Sequence, residues 1–286
     1  MHDPLTLLLD AELITPTDEG TIRRYLDEHG GSLLNAIASQ ATLNVPSLWQ
    51  SLAESQERPF ITSLKAASPV DGSLITREEA TRYLILGRVL KFQTLHVVTP
   101  NPFLSTADLL PLRDRLRTIT PGHHALIRIE VCTPALWKQL YDYTYPITPY
   151  TPRLSLNEAI ALASLTPLST FENMDLEDLR VQKLITPDQY AEALARQEGV
   201  PYINVTLDPP DPELLDLVGL PIIRATRQYP WALTRDGHII TVSDHIPTPD
   251  VLAHFRRIIH RRIIPALTSR PAHHALMEAI TSMTRD

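Results

Sequence analysis

Three times this chain writes nearly the same phrase: LITPTDE at 13–19, LITREEA at 74–80 and LITPDQY at 184–190. Each is an apolar pair, a threonine, then proline or arginine, then acids or amides. Thr15, Thr76 and Thr186 fit the N-cap position, where the hydroxyl accepts from an orphan N–H of the first helical turn. Pro16 and Pro187 fit the first helical position, where the missing N–H costs nothing. Glu79 and Gln189 lie three residues past their threonines, which is the capping-box spacing. The phrase marks helix starts, and its return at long intervals directs attention to a repeated architecture.

The stretch TYPITPYTP (144–152) places three prolines within seven residues, the composition of an extended, semi-rigid spacer. Either side of it the order of elements runs in parallel. The first half reads as short amphipathic helices, a strand at RPFIT (58–62), a helix from Thr76, and a hairpin from YLILGRVL and TLHVVT. A helix with Leu109, Leu110, Leu112 and Leu116, the strand ALIRIEV (125–131) and a helix capped by Thr133-Pro134 complete it. The second half reads as helices from Ser155 to Gln197, a strand VPYINV (200–205) and a Pro/Asp-rich helix start at 208–213. A hairpin turning at Asp236-Gly237, a helix capped by Thr248-Pro249, the strand IIPAL and a last helix follow. The expectation is an α/β (α+β) chain of two tandem modules, 1–143 and 153–286, joined by a linker at 144–152. Each pairs a small helical part with a small α/β sandwich carrying an antiparallel hairpin, and the second helical part is shortened.

Composition narrows the function classes. The 286 residues carry a formal net charge of −7, which argues against a polynucleotide binder. A hydrophobic content of 43% supports a sizeable core. Cys132 is the one cysteine, so an internal disulfide and a cysteine zinc cluster are both excluded. The opening MHDPLTLLLDAEL lacks a basic n-region, and no apolar run approaches the length of a membrane span. The expectation is a cytoplasmic protein without a transmembrane segment.

The ordered string LITPDQYAEALARQEGVPYINV, the Pro/Asp-rich helix start, the hairpin and TPDVLAHFRRI resembles the N-terminal domain of type II secretion and type IV pilus assembly ATPases, the GspE-N or MshE-N family. In the first half QSLAESQERPFI and ITREEATRYLILGRVLKFQTLHVVTPNP carry the same likeness. The resemblance spans nearly the whole chain as two degenerate copies. It implies a protein-interaction role in a secretion, pilus or surface-assembly system. The chain contains no G-x-x-x-x-G-K-[ST] phosphate loop, so it resembles the accessory domains without the motor. Many members of the family bind cyclic di-GMP through a repeated Arg-Leu-Gly…Gly…Gln pattern. At those positions this chain has Ser32-Leu33-Leu34, Ala41 and Ser55, then Met174-Asp175-Leu176, Lys183 and Gln197. Of the polar and glycine positions only Gln197 matches, so the resemblance implies that this binding is weak or lost.

No strong catalytic constellation stands out, and neither a cofactor nor an enzyme activity is expected. His123-His124 and His273-His274 read as surface histidines, because adjacent helical residues do not face one way. Cys132 reads as a buried small apolar residue. Asp244-His245 beside Ser243 lacks a nucleophile elbow. The sharpest surface feature is FRRIIHRR (255–262). On a helix Val251, Leu252, Phe255, Ile258 and Ile259 form an apolar stripe, leaving Arg256, Arg257, His260 and Arg261 as a basic face for an acidic protein partner or a phosphate.

Overall fold

All three repeated phrases start helices, by the same device. The Thr76 hydroxyl accepts from Glu79 N at 3.2 Å while the Glu79 carboxylate accepts from Thr76 N at 2.9 Å. Thr186 and Gln189 repeat this at 3.2 and 2.9 Å, and Thr15 does so with Asp18 at 3.2 and 2.8 Å. Two orphan donors are satisfied at each start, so these boundaries are fixed locally.

The computed structural model describes residues 4–40, 42–67, 70–91, 93–119, 126–146, 153–167, 171, 174, 176–205 and 210–282. In chain order these form α1 (Pro4–Asp10), α2 (Pro16–His29), α3 (Leu33–Ala38), α4 (Val45–Ser55), β1 (Phe60–Ile61), α5 (Leu64–Ala67) and α6 (Arg77–Tyr83). Then come β2 (Leu86–Lys91), β3 (Thr94–Thr99), α7 (Leu110–Ile119), β4 (Leu126–Cys132), α8 (Pro134–Thr144), α9 (Leu156–Ser164), α10 (Leu176–Val181) and α11 (Pro187–Glu198). The chain continues with α12 (Glu213–Val218), α13 (Leu220–Thr226), β5 (Tyr229–Leu233), β6 (Ile239–Ser243), α14 (Pro249–Ile259), β7 (Ile263–Leu267) and α15 (Arg270–Ser282). The class is α/β.

Two compact units result: residues 1–152 with 164–185, and residues 153–163 with 186–286. The helices read as one shortened group are thus divided, α10 lying in the first unit and α11 in the second. Most of the linker stretch, 147–152, lies outside the described residues, as does the His123-His124 pair.

In the first unit α1–α4 bury Leu5, Leu8, Ile22, Ile37, Trp49 and Leu52 against Val131 of the sheet. The buried Trp49 indole N–H donates to the Pro100 carbonyl at 2.8 Å, tying this helical part to the loop after β3. The sheet order is β1-β4-β3-β2, with β1, β4 and β3 parallel and β2 antiparallel to β3. In the second unit the order is β5-β6-β7, β6 and β7 being parallel and β5 antiparallel. The strand expected at VPYINV reduces to one parallel bridge, Tyr202 to Leu267. Pro201 and Pro209-Pro210 bracket it, and a proline donates no ladder hydrogen bond.

The correspondence of the two sheets reaches individual residues. Leu86 pairs with Val98 as Tyr229 pairs with Val242, and each hairpin then has a register shift, at Gly87/Val89 and at Pro230/Ala232. The inserted residues are Arg88 and Trp231. An aspartate turn bonds to each outer strand, at positions one residue apart: Asp71 N donates to Gly87 O at 2.8 Å and Asp211 N to Trp231 O at 3.0 Å. Both aspartates accept from the amide two residues on, Ser73 and Glu213. The approach at Gly87 is so close that a β-carbon would lie 2.8 Å from the Leu74 side chain. Left-handed residues end the preceding helices alike, Leu84 at φ 52° and Arg227 at φ 54°.

Candidate functional site

The basic face lies on α14 of the second unit. The Thr248 hydroxyl caps this helix by accepting from Val251 N, and Phe255 anchors it at 0% exposure. Leu252 and Ile259 pack beside Phe255 on the unit's core. Ile258, expected in the buried stripe, is instead 42% exposed. At about 100° per residue, Ile258 sits roughly 60–120° away from Phe255, Ile259 and Leu252, beyond the edge of the buried stripe.

Arg256 and Arg257 are exposed in the last turn. The helix stops at His260, which adopts φ 55° and donates its N–H to the Arg256 carbonyl at 2.9 Å. This reversal brings Arg261 and Arg262 back beside the helix end. Arg261 Nη1 donates to the Gly237 carbonyl at 3.1 Å, joining the site to the tip of the β5–β6 hairpin. The Arg262 carbonyl accepts from Ile239 N at 3.0 Å. Arg256, His260, Arg261 and Arg262 line an open recess of about 500 Å³. Arg257 is not in the lining, and Arg262 is the residue that helical spacing failed to place. The signal for it was the dyad Arg261-Arg262 directly before a strand, which needs a chain reversal at His260.

Cations at a helix C-terminus complement its dipole, so part of this placement serves the helix. The recess nevertheless gathers four cationic or protonatable groups in a chain of net charge −7. Among the described residues no carboxylate pairs with Arg256, Arg257 or Arg262. The His260 N–H is spent on the cap, and the Arg256, Arg261 and Arg262 guanidiniums offer forked donors that suit carboxylate or phosphate oxygens.

The positions matched to the cyclic di-GMP pattern have local roles. Ser32 caps α3, and Ser55 Oγ donates to the Leu52 carbonyl at 2.8 Å. Lys183 takes φ 52°, a backbone state that glycine adopts without strain. Its carbonyl accepts from Gly31 N at 2.9 Å, and its Nζ donates to the Asp27 carbonyl at 2.8 Å. Gln197 is half-buried on α11. Ala41 and Asp175 lie outside the described residues.

Two further polar clusters were not legible beforehand. Glu130, 4% exposed, accepts from Arg88 at 2.5 Å and from His96 Nδ1 at 2.9 Å across three strands. The hint was a glutamate inside the apolar strand IRIEV. In the second unit His273 is fully buried, contrary to the surface reading, while His274 is exposed. His273 Nε2 donates to the Arg227 carbonyl at 3.0 Å, and the apolar face of α15 carries the ring inward. Ser243 Oγ donates to the His245 carbonyl at 2.7 Å and meets no general base. Cys132 is buried, and burial pushes its thiol well up, which leaves it inert. Among the described residues no group of three potential ligands could hold a metal ion, and no helix is long and apolar enough to cross a membrane.

No protein-family model matches the chain, and no curated protein matches it. Among solved structures it is similar to one titled "Structure of MshE with cdg", at 18% identity and a TM-score of 0.38, covering 51% of this chain and 100% of that one.

Proposed function

We propose that this chain is a non-catalytic adaptor made of two modules related by duplication, which docks an acidic protein partner through the basic recess of the second unit. The observation that carries the docking reading is the recess itself, where Arg256, His260, Arg261 and Arg262 converge around about 500 Å³. Duplication is supported by the matched strand order, register shifts and aspartate turns. The setting, a secretion, type IV pilus or surface-assembly and motility system in the cytoplasm, rests on the sequence resemblance alone.

The test is capture of partners from native cell extract on the immobilised chain, comparing wild type with R256A/R261A/R262A at low and moderate salt. The reading expects an acidic protein that wild type retains, that the variant loses, and that elutes as salt rises, since exposed charges are screened over about 8–10 Å. Equal retention by both would refute it. A second reading is a cyclic di-GMP receptor with an altered motif. Gln197 and the glycine-like backbone of Lys183 favour it. Micromolar or tighter binding in isothermal titration would place it first.

A further inference from the structure

The two sheets differ in chemistry on one face. In the first unit His96 and Arg128 are register partners on adjacent parallel strands, and Glu130 lies two residues beyond Arg128, so all three side chains leave the same face. Val131, on the opposite face, packs against α1–α4. The matching residues of the second sheet, Ile240, Ile264 and Ala266, are apolar, as is Trp231 at the position of Arg88. The fold therefore closes without charge on this face. In the first unit both oxygens of the buried Glu130 carboxylate are engaged: Oε2 accepts from Arg88 Nη1 at 2.5 Å and Oε1 from His96 Nδ1 at 2.9 Å. Arg88 Nη2 donates to the Ala66 carbonyl at 2.8 Å, which fixes the guanidinium in turn. A carboxylate at Nδ1 sets the orientation of an imidazole and leaves Nε2 on its far side. The His96 side chain is 19% exposed, and its Nε2 has no hydrogen-bond partner among the described residues. Arg128 is exposed beside it, and Lys91, opposite Thr94, adds an exposed cation to the same face.

We propose that His96 and Arg128 form a phosphate-binding site on this face, with Glu130 and Arg88 as the residues that position the imidazole. The choice of phosphate follows from the proton count. With Nδ1–H donated to Glu130, a neutral ring offers Nε2 as an acceptor, and an imidazolium offers it as a donor. A phosphate monoester loses its second proton at about pH 6, so near neutrality it meets either form of the ring. Its P–OH donates to the neutral imidazole, or its bare oxygen accepts from the charged one. One proton is shared in both cases, while a second phosphate oxygen accepts from the Arg128 fork. A side-chain carboxylate loses its proton at about pH 4 and pairs only with the charged ring. The Glu130 charge is offset by Arg88, so it does not repel the anion uncompensated. The site lies wholly within the first unit and does not depend on what the recess binds.

The test is NMR of the full chain at constant neutral pH in phosphate-free buffer, following the His96 imidazole and Arg128 Nε–H signals. Inorganic phosphate, phosphoserine and sulfate are titrated in turn at matched ionic strength. Sulfate has the shape and charge of phosphate but no proton to share near neutrality. Phosphate and phosphoserine should move both signals saturably, and sulfate should bind several-fold more weakly. Equal affinity for the two phosphates assigns the site to the free ion, and tighter phosphoserine assigns it to an ester; both support the site. Arg128→Gln, at an exposed position, should weaken phosphate about tenfold, the loss of one charge-assisted hydrogen bond. His96 signals that phosphate leaves unmoved, sulfate as tight as phosphate, or unchanged affinity in Arg128→Gln overturns the proposal. Shifts confined to His260 would place phosphate in the recess and overturn it as well.

Discussion

The Gly31 amide donates to the Lys183 carbonyl at 2.9 Å, joining the end of α2 to the turn that follows α10. Beside it Gly30 adopts φ 78°, and a β-carbon there would lie 1.9 Å from the same carbonyl. Two demands therefore meet at Gly30, a left-handed backbone and bare contact with another main chain. Gly30→Ala should destabilise the first unit by about 3 kcal/mol, combining backbone strain with overpacking. Urea unfolding measures this, and a loss below about 1 kcal/mol would mean that segment 176–185 is not seated there.

Glu130 is a buried carboxylate held by Arg88 and His96. Removing it alone leaves Arg88 without its counter-charge, so Glu130→Ala should cost about 3 kcal/mol or more. The matched residues of the second sheet are apolar: Trp231, Ile240 and Ala266. Replacing all three groups by R88L/H96I/E130A should recover most of that loss, because the desolvation of the whole ion cluster disappears with it. A triple variant no more stable than Glu130→Ala would show that the cluster stabilises the sheet outright.

Acid should weaken the second unit in two stages. The folded His273 titrates below its ordinary value, chiefly through burial. The unfolded chain therefore takes up the proton first, and stability present above about pH 6.5 is lost as pH falls toward the folded value. Burial pushes the Asp244 carboxyl up, but the His245 hydrogen bond and the His273, His245 and Arg227 charges outweigh it and hold it low. Its contribution is present above about pH 3.9 and is lost as pH falls through the depressed folded value. Urea midpoints from pH 8 to 3 check both stages, and His273→Gln should abolish only the upper one.

The helix starts were legible because they are local. Thr15, Thr76 and Thr186 each find their partner three residues away, and no tertiary contact is needed. The hairpins were legible for the same reason, with Gly237 at φ 75° in the second turn. Ile258 was misplaced because the stripe is narrower than its apolar residues suggest. Arg262 and His273 were missed because their positions depend on a reversal at His260 and on packing against Arg227. The Glu130 cluster required knowing which strands lie side by side, information that one strand's sequence does not contain.

Within the recess the arginines should not be equivalent. Arg257 points outside the lining, so Arg257→Ala should leave partner affinity within about twofold, as for a rim charge. Arg262→Ala should weaken it further, by about three- to tenfold if the side chain meets a carboxylate. Arg261→Ala also loses its bond to Gly237, so a stability cost of about 1 kcal/mol should accompany its binding loss. Binding titrations and thermal unfolding of the single variants separate these effects.

Partner capture by wild type against R256A/R261A/R262A, run side by side with thermal unfolding of both proteins, tests the docking role most directly. Docking through the recess predicts an acidic partner retained by the wild type, released as salt rises and absent from the variant, with melting temperatures within a few degrees of each other. The same partner retained equally by the variant, with its fold intact, would contradict it.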